Sequence, residues 1–276
     1  MEPTTQDVKD TWNSFAETYS QVLEKPSLQA ALSLARMTGV YSANNILEIA
    51  CGSGELSLAL LQSLPAGTKY LSVDISEEMI KMANLNKNAM KHKLNNEIEH
   101  EFLEADGENL SFIPDESVDV VLAPLCFHLT PDPNKILKEA LRVLKKGGKL
   151  GVSVLGDPQK CTFFSIFDNA LEKVGIEFGK RRTIFYLGSR EKLIKLAQDN
   201  GVKVEFCWTE TIPFAFQTQE ELRQFWFPNY DPQRRSSNDQ TTRVLKHMEK
   251  DFDEKIIKNF IPLQNEDVLL VGTKPL

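Results

Sequence analysis

The chain has 276 residues, 41% hydrophobic and 26% charged, and its 32 Lys and Arg against 39 Asp and Glu give a net charge of −7. That is ordinary for a globular protein with a sizeable core, and a dispersed acidic balance excludes the concentrated basic surface that a nucleic-acid partner requires. No apolar run approaches the ~20 residues that span a bilayer. The four cysteines lie far apart without a Cys-x-x-Cys, so neither a disulfide framework nor a metal site is expected. The opening Met1-Glu2-Pro3-Thr4-Thr5 has no basic start or apolar stretch, which predicts a cytoplasmic protein.

In chain order, the first 43 residues pattern as helices ahead of a sheet. Asn45 to Ile49 is a short apolar strand ending at a glycine turn, and Leu56 to Leu64 is a leucine-rich helix stopped by Pro65. Tyr70 to Asp74 is the second strand. Ser76 then has the position of an N-cap, with Glu77 and Glu78 where the helix dipole favours negative charge. Glu101 to Ala105 and Val118 to Ala123 are the third and fourth strands. Ile136, Leu137, Ala140, Leu141 and Leu144 share one helical face. Gly147-Gly148 is expected to end that helix, before a fifth strand from Lys149 to Leu155. Such alternation predicts a mostly parallel sheet with crossover helices.

Beyond Gly156, helices are expected over Cys161–Val174 and Arg190–Asp199, and strands over Val202–Phe216 and Asp267–Thr273. Residues 217–262 between those strands carry a helical stripe of Leu245, Met248, Phe252 and Ile256. An insertion of that length suggests a functional cap. The chain therefore reads as one α/β domain over 1–276: a helical cap over 1–43, a cofactor-binding half over 44–155 and a substrate half over 156–276.

Three strand ends carry the chemistry. Glu48-Ile49-Ala50-Cys51-Gly52-Ser53-Gly54 joins the first strand to its helix, and its glycines let backbone N–H groups approach a ligand. Asp74, ending the second strand, can accept both hydroxyls of a ribose. Asp106-Gly107, after the third, can take the exocyclic amine of adenine. Together these ends predict an adenosine pocket.

With these motifs, Asn45 to Leu155 resembles the class I S-adenosylmethionine-dependent methyltransferases. The group containing the quinone-biosynthesis C-methyltransferases is the most similar. The matching runs are Leu47 to Gly54, Val73-Asp74-Ile75-Ser76, Glu104-Ala105-Asp106, Val118 to Val121 and Glu139 to Gly148. Trp12 to Tyr19 resembles the family's entry helix.

The resemblance implies a Rossmann-like fold of seven mostly parallel strands with helices on both faces and a helical cap. It also implies S-adenosylmethionine as cofactor, with S-adenosylhomocysteine as its product. Glu48 is then expected to hold the loop and reach the methionine amino group. Ala50, Gly52 and Gly54 form the loop, Asp74 holds the ribose and Ile75 packs on adenine. Asp106, beside Gly107, meets the amine, Ala123 and Pro124 line the methionine portion, and Tyr19 closes over it. One departure is Ala50, where the family has glycine. It costs roughly 1 kcal/mol or more if the turn demands a positive φ, and the sequence alone does not show that demand.

His128, following the fourth strand, is placed where a general base could serve an O–H or N–H nucleophile. Its plainer reading is a packed or hydrogen-bonded side chain beside the cofactor. Cys51 and Cys126 read as small buried residues, with nothing cationic beside them in sequence to activate a thiol. Phe163, Phe164, Phe167, Phe185, Tyr186, Phe214, Phe216, Phe225, Trp226, Phe227 and Tyr230 crowd the second half. They suggest a small acceptor that is apolar, planar or cationic. Arg181-Arg182 and Arg234-Arg235 could meet an acidic group.

A nicotinamide dehydrogenase is disfavoured because the loop lacks the third glycine of GxGxxG. A nucleic-acid methyltransferase is disfavoured by charge and by Ala123-Pro124-Leu125-Cys126 after the fourth strand. A protein-directed methyltransferase and a silent cofactor-binding subunit remain as alternatives.

Overall fold

The computed structural model describes residues 4–176, 184–214, 218–227 and 238–276. Arg181-Arg182, Arg234-Arg235, Phe216 and Tyr230 lie outside the described residues.

Strands β1 (Asn45–Ile49), β2 (Lys69–Asp74), β3 (Glu99–Glu104), β4 (Val118–Ala123), β5 (Leu144–Leu155), β6 (Lys203–Pro213) and β7 (Gln264–Thr273) form one seven-stranded sheet. Its order is β3-β2-β1-β4-β5-β7-β6, and β7 runs antiparallel to both β5 and β6. The expected seven-stranded, mostly parallel architecture is what the chain adopts.

The strand period of two sorts the core. On β1, Leu47 and Ile49 face one way and pack with α5 (Pro133–Val143) and α7 (Arg190–Asp199) through Ile136, Leu137, Ala140, Leu193 and Ala197. Ile46 faces the other way. It packs with α2 (Glu24–Met37), α3 (Glu55–Leu60) and α4 (Glu77–Met90) through Ala31, Ala35, Leu56, Leu60 and Ala83. A third cluster lies over the carboxyl ends of the strands. There α6 (Thr162–Val174), α8 (Gln219–Trp226) and α9 (Gln240–Phe252) pack Phe163, Ile166, Leu222, Leu245's neighbour Val244, Met248 and Phe252 together. Phe15 and Tyr19 of α1 (Thr5–Val22) join that cluster.

Several boundaries shift for local reasons. The helix expected to reach Leu64 ends at Leu60; Leu61 and Leu64 stay buried in the turn that follows, where Leu64 N still bonds to Leu60 O at 2.9 Å. The helix expected to stop at Gly147-Gly148 ends at Val143. Leu144 already pairs with Val118, so Gly147 turns at φ +77° inside β5, where the register with β4 shifts between Leu144 and Lys149. β7 begins at Gln264, three residues earlier than its apolar run suggests, and β6 ends at Pro213. Ser76 does cap α4, accepting from Met79 N at 3.1 Å. Among the described residues, no helix is long and apolar enough to cross a membrane.

Candidate active site

The carboxyl ends of β1, β2 and β4 open into a cavity of about 310 Å³, roofed by α1. Along α1 the residues Val8, Trp12, Phe15 and Tyr19 recur at helical spacing, and all four line the cavity. A capping box starts the helix: Thr4 Oγ1 accepts from Asp7 N, and the Asp7 carboxylate accepts from Thr4 N. Midway along, Asn13 Oδ1 accepts from Ser76 Oγ at 2.7 Å, which fastens α1 to the end of β2.

The glycine loop is shaped by backbone conformation. Gly52 and Gly54 have φ of +57° and +90°. A Cβ at Gly54 would stand 2.6 Å from Phe102, so only glycine lets the loop sit this close to the sheet. Ala50 also has a positive φ, +59°, so the turn does impose the demand left open by the sequence. Leu125 after β4 repeats this at φ +49°, and both residues line the cavity. An L-residue there costs about 1–2 kcal/mol, and such strain gathers at ligand sites.

Asp74 is buried, 7% exposed. Its Oδ2 accepts from Gly52 N and its Oδ1 from Ser76 N, each at 2.9 Å. Burial pushes its carboxyl up to about 6 against the pull of those N–H groups. A carboxylate has about four acceptor sites, so two remain for a ligand. Asp106 Oδ1 accepts from Glu108 N at 2.8 Å, which fixes its turn. Tyr19, Ala50, Gly52, Asp74, Ile75, Asp106, Gly107, Pro124 and His128 all line the one cavity. His128 is buried there.

Three of the expected site residues stand elsewhere. Ala123 is fully buried in the core beneath the cavity, and Gly54 caps α3 behind the loop. Glu48 lies on the opposite side of the loop, where its Oε2 accepts from Ser57 Oγ and Tyr70 OH at 2.5 Å. Burial pushes its carboxyl up to about 7. Cys51 and Cys126 are buried with their thiols pushed up by burial, so neither is an activated nucleophile.

Other residues at the site carry no motif. Glu24 at the start of α2 is 5% exposed, and Ser53 Oγ donates to it. With Glu48, Tyr19 and Gly52 it lines a smaller space of about 40 Å³ behind the loop. Asn265 of β7, 5% exposed, lines the main cavity. The only sequence signal for these was a polar run, Gln264-Asn265-Glu266-Asp267, opening a strand that proves buried.

The donor set fits an adenosyl sulfonium compound. Three carboxylates, Asp74, Asp106 and Glu108, line the main cavity, and Glu24 and Glu48 border the space behind the loop. No Lys or Arg lines either space among the described residues. Glu108 has Lys135 at 3.4 Å, but Asp74, Glu24 and Glu48 have no cation at salt-bridge distance among the described residues; buried carboxylates of that kind are costly, and a ligand that is both sulfonium and ammonium supplies the charge.

Comparison with known proteins decides the family. A family described as a methyltransferase domain matches residues 47–152. The demethylmenaquinone methyltransferase of Lactococcus lactis is 30% identical over 182 residues, 63% of this chain and 69% of that enzyme. The chain belongs to the class I S-adenosylmethionine-dependent methyltransferases. Within that family, the ubiquinone/menaquinone biosynthesis C-methyltransferase UbiE of Rickettsia massiliae is 38% identical over 109 residues. That match covers 38% of this chain and 42% of the Rickettsia protein, less than half its length. Among solved structures, the [4+2]-cyclase SpnF shares the fold at a TM-score of 0.63 and 17% identity, over 100% of this chain and 98% of that one. S-adenosylmethionine is the cofactor of the family.

Proposed function

We propose that this methyltransferase acts on a small, largely apolar and planar acceptor. The observation that carries this reading is continuity. The cavity that holds Asp74 and Asp106 also reaches Phe164, Phe214 and Trp226 under the helical cap. Phe214 and Trp226 belong to a stack, with Phe164 edge-on beside it: Phe214 lies on Phe163 at 4.5 Å, Phe163 on Trp226 at 5.3 Å and Trp226 on Phe167 at 4.2 Å. The quinone methyltransferases among its relatives favour the same class of acceptor.

When bound, the cofactor supplies a methyl group already activated on a sulfonium. The chain's own part is to bind, orient and exclude water. Asp74 accepts the ribose hydroxyls with its remaining lone pairs, while Gly52 N and Ser76 N hold the carboxylate in place. Ile75 packs on the adenine, and Asp106, fixed by Glu108 N beside Gly107, takes the amine. Ala50, Gly52 and Pro124 shape the methionine end over Ala123, while Gly54 and Glu48 support the loop from behind. Tyr19 and Trp12, edge to face at 5.4 Å, close the roof. Holding acceptor and methyl in line contributes roughly 7–11 kcal/mol of barrier reduction.

An acceptor with an O–H or N–H nucleophile must shed a proton, and His128 is the imidazole on the wall that can take it. His128→Gln is therefore expected to lower turnover at unchanged S-adenosylhomocysteine affinity. Wild-type activity from this variant across pH 6–9 would remove the assignment. The reading as a whole is tested with methyl-labelled cofactor against quinols, phenols, aromatic amines and a protein extract. Label in the organic-extractable products is expected; label in protein alone would contradict it.

A further inference from the structure

The acceptor end of the cavity is walled by Leu155, Phe164, Ile184, Phe214 and Trp226. Against this apolar wall stands one amide. Asn265 sits opposite Ile212 in the β6–β7 ladder, and Phe214 N, two residues further along β6, bonds to Leu263 O at 2.8 Å. Strand alternation puts Ile212, Phe214 and Asn265 on the same face of the sheet, the face that α2 covers, at whose end Phe214 joins the aromatic stack. Asn265 is 5% exposed, lines the cavity, and its Oδ1 is buried with no hydrogen-bond partner.

Among the described residues the fold offers that carbonyl no donor. A buried acceptor left unmade costs about 1–3 kcal/mol, and an apolar side chain opposite Ile212 would escape that cost. Polar groups retained at such expense in a ligand cavity fix orientation in an otherwise apolar site. Rotation about χ2 turns either the NH2 or the carbonyl of the amide towards a ligand, so it can answer a hydroxyl in either sense.

We propose that Asn265 is the polar anchor for the methyl acceptor, pairing with a hydroxyl or similar group on the edge of an otherwise apolar ring. It is a specificity-determining residue. A ligand carrying the group leaves the amide satisfied, and one lacking it leaves the amide buried and unpaired, which is how sites reject analogues short of one hydroxyl. The inference rests on the small planar acceptor proposed above.

p-Cresol and p-xylene, alike in shape and differing by a hydroxyl in place of a methyl, are titrated by NMR into protein saturated with S-adenosylhomocysteine. The ratio of their affinities is compared between the wild type and Asn265→Leu, so that their different transfer from water cancels. The expected result is a ratio at least tenfold more in favour of p-cresol in the wild type, with Asn265→Leu melting at the same or a higher temperature. Asn265→Ala, which adds no volume, gives the same comparison if the leucine variant does not fold. A ratio unchanged in both variants, or a wild type that takes neither ring while binding S-adenosylhomocysteine, overturns the role of Asn265. A wild type that does not take S-adenosylhomocysteine overturns the reading beneath it, and the inference with it.

Discussion

Ala50 holds φ at +59° where glycine would sit without strain, yet its side chain does not close the cavity that it lines. Replacing it separates strain from function. Ala50→Gly relieves about 1–2 kcal/mol of left-handed strain and returns about 0.4–1 kcal/mol to the unfolded chain as entropy. A net gain of up to about 1 kcal/mol, or ~2–4 °C in melting temperature, is expected for the free protein. A lower melting temperature would show that the loop relaxes around the methyl instead. Glu24 makes a second residue-scale case, with Ser53 as its hydrogen-bond donor and the loop's inner space in front of it. Glu24→Gln is expected to weaken S-adenosylhomocysteine by about tenfold, the scale of one charged hydrogen bond, and to leave 5′-methylthioadenosine, which has no amino-acid tail, unaffected. Equal losses for the two ligands would mean that Glu24 only supports the loop.

α1 shows how an element becomes a lid. Its inner stripe covers the cavity, and its tie to the body is compact: Asn13 Oδ1 with Ser76 Oγ at 2.7 Å and the more distant Glu78 N at 3.4 Å, with Lys9 paired to Glu104 on the rim. The Lys9 pair is partly exposed, and such pairs contribute little. Asn13→Ala should therefore loosen the roof by about 1 kcal/mol. Amide exchange over Thr5–Val22 would speed up and S-adenosylhomocysteine would bind roughly fivefold more weakly. Unchanged exchange would place the hold on α1 in its apolar stripe alone. The same helix marks what sequence can convey. The pattern Val8, Trp12, Phe15, Tyr19 is local and legible as one helical face, whereas Asn13 to Ser76 spans 63 residues and no spacing announces it. β7 is similar: its apolar run Val268 to Val271 identifies the strand, but Asn265, ahead of the expected start at Asp267, looks like solvent-facing loop until the fold buries it.

At the scale of the molecule, several carboxylates are buried without cations. Burial pushes Glu48 and Asp267 up to about 7 and Asp74 up to about 6, and raises Glu24 as well. Their folded values lie above their unfolded ones, so the folded chain holds more protons, and their stabilising effect is present at low pH and lost as pH rises through 6 to 7. His100, pushed down to about 3 by burial, works in the opposite direction below its ordinary 6.5. Among the described residues, one imidazole against these four carboxylates and Asp168, also raised by burial, leaves the carboxylates dominant, while paired groups such as Glu139 with Arg142, held below the usual range, protonate only in stronger acid. The free protein should thus melt higher at pH 5.5 than at pH 8. A melting temperature that rises from pH 5.5 to pH 8 would contradict this balance of charges.

The architecture itself was legible because strand and helix periods are local. β1 and β4 start and stop where their apolar runs do, and Gly52, Asp74 and Asp106 announce themselves as ends of successive strands. The geometry of the proposed acceptor end was not legible, because its aromatic wall, Phe164, Phe214 and Trp226, is gathered from α6, the turn after β6 and α8, a span of about 60 residues.

The central claim is that these strand ends bind the adenosyl cofactor, and calorimetric titration with S-adenosylhomocysteine tests it most directly. The wild type should bind at micromolar concentration and Asp74→Ala, melting normally, should lose at least a hundredfold. Equal affinity in the two proteins, or a folded wild type that takes no ligand, would contradict the account.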